Sequence, residues 1–166
     1  MKVLISDSSI LIEFSKRGLL DKMFQLEFEF AVPDLLFHEE LIDLGAYTRS
    51  DLLGLGLRVE ALDAKGVDVA IAYQVERPAL SLVDSFALAL ASHHGWSLLT
   101  EDRAMRSVAD SKGIAHRDAL WLIDNLLDAG ILSASQVVAA LATMRDDPRC
   151  PVPKSGLAVR IRRLGS

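Results

Sequence analysis

The chain has 166 residues, 51% of them hydrophobic and 25% charged, with a net charge of −5 at pH 7. That length accommodates one domain with a real core and is short for two. The single cysteine, Cys150, excludes a disulfide framework and a cysteine-built zinc site, no apolar run is long enough for a bilayer, and few aromatics argue against a base-stacking platform. The start MKVLIS enters a strand directly, with no signal peptide, so the expected location is a reducing cytoplasm without membrane association.

Short apolar runs alternate with longer helical patterns along the chain. KVLIS (2–6) reads as a first strand, FEFAV (28–32) as a second, LRVEAL (57–62) as a third, WSLL (96–99) as a fourth and GIAH (113–116) as a short fifth. Helical stretches fall at 9–16 with a continuation toward 26, then at 34–44, 47–53, 64–76, 81–93 and 101–111. Strands alternating with helices predict βαβ units and a mostly parallel sheet covered on both faces, an α/β fold of three α/β/α layers. DALWLIDNLLDAG closes on Gly130, a residue suited to a helix C-cap, and SASQVVAALATM opens with Ser133 and Gln136 at capping-box spacing. These two segments predict a helical hairpin that completes a domain over residues 1–145.

Residues 146–166 then form a proline-rich loop and a basic tail. RDDPRCPVPKSG carries three prolines, and in LAVRIRRL the residues Leu157, Val159 and Ile161 alternate with Ala158, Arg160 and Arg162. That pattern fits an edge strand or a short basic helix. From Met144 onward six basic residues face Asp146 and Asp147, a local charge of +4, which leaves −9 on the body. An acidic body with a basic tail suggests a cation-attracting centre and an arm for polyanions, or simply a solvated tail.

Carboxylates recur where predicted strands end. Asp7 follows the first strand, and Glu101 and Asp102 follow the fourth after Thr100. The helix SLVDSFALALASHH is apolar around its axis and carries one ionisable residue in its first three turns, Asp84. After the second strand, Pro33 starts a helix that holds Glu39 and Glu40 about two turns in. Each acid also has an ordinary reading: Asp7 and Asp102 as N-caps, Asp84 as the third residue of a capping box with Ser81, and the glutamates as solvated helix residues. Taken together they say more. In a parallel sheet all strand C-termini share one edge, so Asp7, Asp84 and Asp102 converge there, with a glutamate reaching in. Several carboxylates in one crevice repel one another, and a divalent cation relieves that repulsion; all-oxygen ligation selects Mg²⁺ or Mn²⁺ over zinc.

The segments VLISDSSILIEF, VPDLLFHEEL and SLVDSFALALASHHGWSLLTEDRAMRSVA resemble a PIN domain, the metal-dependent ribonuclease fold that includes VapC-type toxins of toxin–antitoxin pairs. The third is the most specific: an aspartate early in an Ala/Leu-rich helix, a glycine, a short strand, then Thr-x-Asp. The resemblance implies that Asp7, Glu39, Asp84 and Asp102 are the catalytic acids and the ligands of Mg²⁺ or Mn²⁺. It chooses Glu39 over Glu40 because the family's glutamate stands six residues after such a proline, and the doubled Glu39–Glu40 is a departure from the pattern. Ser9 and Thr100 match small polar positions that support the acids. The implied activity is hydrolysis of RNA phosphodiester bonds by a type II toxin, with RNA as substrate, a small antitoxin as partner, and homodimerisation. The tail is longer than that of compact toxins.

Two other functions were open at this level. A PIN-like fold with a silent site would act as a binding module, against which stands the presence of all four acids. A phosphoacceptor domain of the response-regulator kind also gathers acids at strand ends, but it needs an acidic pair after the first strand and a lysine after the last, and Asp7 is isolated. His93 and His94 end a helix, where imidazole suits the dipole. No G-x-S-x-G elbow or glycine-rich phosphate loop occurs.

Overall fold

Five strands form one sheet: β1 (Lys2–Ser6), β2 (Phe28–Pro33), β3 (Arg58–Glu60), β4 (Ser97–Leu99) and β5 (His116–Arg117). The computed structural model describes residues 1–42 and 44–165. Asp43 and Ser166, which fall in the predicted 34–44 helix and the 146–166 tail, lie outside the described residues. The strand order is β3-β2-β1-β4-β5 and every pairing is parallel. The chain therefore builds outward from β1 in one direction, then returns to the other side of β1 for β4 and β5. The reversal falls between β1 and β4, the position at which parallel α/β sheets place their ligands beyond the strands' C-terminal ends.

The two-residue period of the strands sorts side chains onto two cores. Leu4, Phe30, Val32 and Leu99 face one side, where they meet α1 (Ser8–Lys16), α2 (Leu20–Met23), α8 (Ala119–Asp128) and α9 (Ala134–Arg145). Val3, Ile5, Ala31 and Leu98 face the other, against α5 (Ala64–Glu76), α6 (Leu82–His94) and α7 (Arg103–Ser111). Two short helices, α3 (Asp34–Glu39) and α4 (Arg49–Leu55), fill the connection from β2 to β3. This is the three-layer parallel α/β arrangement that the alternating pattern predicts.

The differences from that pattern have local causes. Gly18, at φ 68°, ends α1 and separates it from α2 instead of letting one helix run toward residue 26. The 34–44 stretch is helical only to Glu39, and beyond it Leu41 and Leu44 turn into the core. The fourth and fifth strands are shorter than the apolar runs that announce them. No helix among the described residues is long and apolar enough to cross a membrane.

The tail resolves as a helix, α10 (Lys154–Gly165), laid along α9. Leu157 is fully buried, and Gly156 lets the helix approach α8 so closely that a Cβ there would lie 2.6 Å from Leu120 Cδ1. Arg160 grips both carboxylate oxygens of Asp124 on α8, at 2.9 and 2.8 Å. The basic tail is thus packed on the body through an apolar contact and a two-pronged ion pair.

Candidate active site

Asp7 leaves β1 and caps α1. Its Oδ1 accepts from the Ile10 amide at 3.1 Å and from Ser9 Oγ at 2.8 Å, while its Oδ2 accepts from the Thr100 hydroxyl. The Asp7 amide donates to the Leu99 carbonyl at 3.0 Å, which ties the β1 exit to the β4 exit. Thr100 Oγ1 in turn accepts from the Asp102 amide at 3.0 Å. One buried hydroxyl therefore links two of the acids, and Ser9 and Thr100 both donate to Asp7.

Asp102 caps α7 through Oδ1, which accepts from the Met105 amide at 2.9 Å. Asp84 sits in the first turn of α6, a helix that descends into β4 and so starts at the strands' C-terminal edge. Asp84 and Ser81 form a reciprocal capping box, the Ser81 amide donating to Oδ2 at 3.2 Å and the Asp84 amide to Ser81 Oγ at 3.0 Å. The capping and site readings of these residues are compatible. Capping engages Oδ2 of Asp84 and Oδ1 of Asp102.

The charges of the three aspartates are coupled through Asp84. Burial raises the Asp7 carboxyl above its ordinary value; the hydrogen bonds from Thr100, Ser9 and Ile10 oppose that rise, and the negative charge of Asp84 adds to it. Burial likewise raises Asp84, Ser81 opposes, and the charge of Asp102 adds. Asp84 thus stands within electrostatic reach of both its neighbours. None of the three forms an ion pair with a lysine, arginine or histidine among the described residues.

The structure separates the two glutamates. Glu40, which follows the last turn of α3, accepts from Ser8 Oγ at 2.5 Å and so reaches the residue beside Asp7. Glu39 is exposed and has no hydrogen-bond or ion-pair partner among the described residues. The spacing from Pro33 favours one glutamate, and the contact with α1 favours the other.

Among the described residues no three carboxylate, histidine or cysteine groups stand close enough to hold one ion directly between them. The donor set still suits a small hard cation. Mg²⁺ keeps several of its own waters and takes one or two carboxylates, and here Asp84 and Asp102, each with one oxygen in a helix cap, accompany the buried Asp7 carboxylate.

Glu101 does other work. Its Oε1 accepts from the Ala119 amide at 2.8 Å, capping α8, and its Oε2 pairs with Arg106 at 2.9 Å. Burial raises the Glu101 carboxyl, with the Ala119 amide and Arg106 opposing. Arg106 also donates twice to the Thr100 carbonyl, at 3.2 and 2.9 Å, bracing the residue that links Asp7 to Asp102. Sequence reasoning did not single out Ser8 or Arg106. The adjacency of Ser8 to Asp7 was a visible hint, but nothing local announces a bond from Glu101 to a residue eighteen positions away.

Comparison with known proteins agrees with this architecture. A solved PilT N-terminus domain protein, SSO1118 from the hyperthermophilic archaeon Sulfolobus solfataricus P2, superposes with a TM-score of 0.52 at 17% identity, over 75% of this chain and 93% of that one. At that identity the likeness concerns the fold alone. Nothing among curated proteins matched. The family model DUF3368, described as a PIN domain, matches residues 3–166, helical hairpin and tail included. PIN domains are generally nuclease folds that use divalent metal ions. The chain belongs to the PIN-domain family.

Proposed function

We propose that this protein is an endoribonuclease that hydrolyses RNA phosphodiester bonds with Mg²⁺ or Mn²⁺. The observation that carries the reading is the set of Asp7, Asp84 and Asp102 at the sheet's C-terminal edge, mutually repelling and without a cationic side chain among the described residues to offset them. An ion bound there would lower the pKa of its water and offset charge on the phosphate. Asp84 and Asp102 would offer it carboxylate oxygens, and Asp7 would add negative charge. Ser9 and Thr100 hold Asp7 in one orientation. Of the two glutamates, Glu40 is the better placed to orient a water near Asp7, and Glu39 is the one that the family's spacing selects.

The finer biological reading is the toxin of a type II toxin–antitoxin pair, acting on cytoplasmic RNA and neutralised by a small antitoxin. The decisive measurement is cleavage of labelled RNA in Mg²⁺, in Mn²⁺ and in EDTA, by the wild type and by Asp84→Asn. Cleavage that needs the metal and disappears in Asp84→Asn supports the nuclease. Undiminished cleavage in EDTA, or by the variant, removes it. The toxin role predicts growth arrest on expression of the wild type and none with Asp84→Asn.

A further inference from the structure

Beside the acids, on the outer flank of the sheet, β5 and α8 enclose a cleft of about 300 Å³ lined by Arg106, His116, Arg117, Asp118 and Trp121. One wall is the partly buried indole of Trp121, whose ring also packs on Phe28 with centroids 5.4 Å apart. The Arg117 guanidinium lies 5.6 Å from the indole centroid, and Lys2 Nζ, from outside the cleft lining, 5.9 Å from it. Neither forms an ion pair with a carboxylate among the described residues; Arg117 donates only to the His116 carbonyl, at 3.1 Å. The other charges lining the cleft are engaged: Arg106 with Glu101, His116 with Asp110 at 2.8 Å, and Asp118 with the Trp121 amide at 2.9 Å.

The cleft is joined to the crevice through the backbone. The Thr100 amide donates to the Arg117 carbonyl at 3.0 Å, and Thr100 is the residue whose hydroxyl holds Asp7. Arg106, which lines the cleft, also donates to the Thr100 carbonyl, so the cleft and the acid-bearing exit of β4 share a wall. Unpaired cations suit a phosphate, and an indole flanked by a guanidinium suits an unpaired base.

We infer that the Arg117–Trp121 cleft binds a nucleotide of single-stranded RNA flanking the cleaved bond, its base against Trp121 and its phosphate on Arg117. The inference rests on the nuclease reading for its orientation, since the acid set determines which bond is cut. It gives the acidic body a point of attachment for a polyanion and makes the substrate single-stranded, because a base held in a duplex cannot reach the indole.

The test uses the full-length protein in EDTA, so that binding is read without cleavage. With Trp96→Phe as background, Trp121 is the only indole, and a short fluorescein-labelled single-stranded RNA should quench it. Arg117→Gln and Trp121→Leu should each weaken binding on the order of tenfold, and Arg117→Gln should also flatten the salt dependence. The matched RNA duplex should bind less tightly than the single strand. Arg117 is exposed, so its variant tests the cleft even where Trp121→Leu perturbs the fold. Wild-type affinity and salt slope in Arg117→Gln would overturn the inference, as would single-stranded RNA that binds without quenching Trp121. RNA that binds and quenches but is never cut in Mg²⁺ or Mn²⁺ would support the cleft and reject the nuclease reading.

Discussion

Two buried carboxylates six residues apart mark the two ends of the difference between function and scaffold in this molecule. Asp7 is 6% exposed and Glu13, on the same helix, 2%. Glu13 accepts from Arg17 Nε at 2.7 Å; Arg17 also reaches Asp147 at 2.7 Å, just beyond α9, and donates to the Thr143 carbonyl at 3.3 Å. That chain of charges fastens the C-terminal hairpin to α1, and the Arg149 amide, followed by Arg17, holds Asp147 below the ordinary carboxylate value. Asp7 has comparable burial but only hydroxyl and amide donors, and the charge that acts on it is that of another carboxylate, Asp84. Burial with an arginine makes a tether. Burial with neutral donors leaves a negative charge seeking a cation.

Breaking the tether should have the largest effect. Arg17→Met leaves Glu13 buried without its partner and should cost roughly 3–5 kcal/mol in urea unfolding. The double change Glu13→Leu with Arg17→Met should recover much of that loss. A single variant as stable as the wild type would show that the two carboxylates are not distinguished by their partners.

Next in size is the loss of catalysis in Asp84→Asn, about 100-fold or more in metal-dependent RNA cleavage. The asparagine can still accept from the Ser81 amide, so circular dichroism and the unfolding midpoint should show an intact fold. The glutamates sharpen the edge of the site: Glu40→Gln should lose roughly tenfold more activity than Glu39→Gln if the Ser8 contact marks the working side chain. The reverse order of losses would restore the spacing from Pro33 as the better guide.

The smallest effect is on stability without metal. The folded-state value of Asp84 is raised, so its protonated form is favoured in the native protein; that stabilisation is complete below the ordinary aspartate value and is lost as pH rises through the raised one. In EDTA at pH 7, Asp84→Asn should therefore unfold at slightly higher urea than the wild type, and the gap should close on acidification across that window. Mg²⁺ should narrow the gap from the other side, by stabilising the wild type alone. A variant less stable than the wild type at every pH would mean that helix capping outweighs repulsion at this position.

The sheet and the aspartates were legible in sequence for the same reason. Strands show a period of two or a short apolar run, and helices announce themselves by a cap, so Asp7, Asp84 and Asp102 stand at boundaries that local chemistry defines. The choice between Glu39 and Glu40 was not legible, because both have apolar neighbours at helical spacing and the one contact that favours Glu40 comes from Ser8, thirty-two positions away. The tail left strand and helix open since its alternation is short; Leu157 against the hairpin and Arg160 on Asp124 settle the conformation through contacts distant in sequence. Arg17 reads locally as a partner for Glu13 at i,i+4, and its reach to Asp147 exists only in the folded chain.

Each of the three aspartates is fastened by the first turn of its own helix: Asp7 on α1, Asp84 on α6 and Asp102 on α7. The crevice is therefore assembled by three local events before any ion arrives, and it can be dismantled one event at a time. First turns are where helices fray, so warming should release single acids well below the temperature at which the sheet melts. Nuclease activity would then fade over a range in which far-ultraviolet circular dichroism hardly changes, and added metal would delay the fading by holding the frayed turns closed.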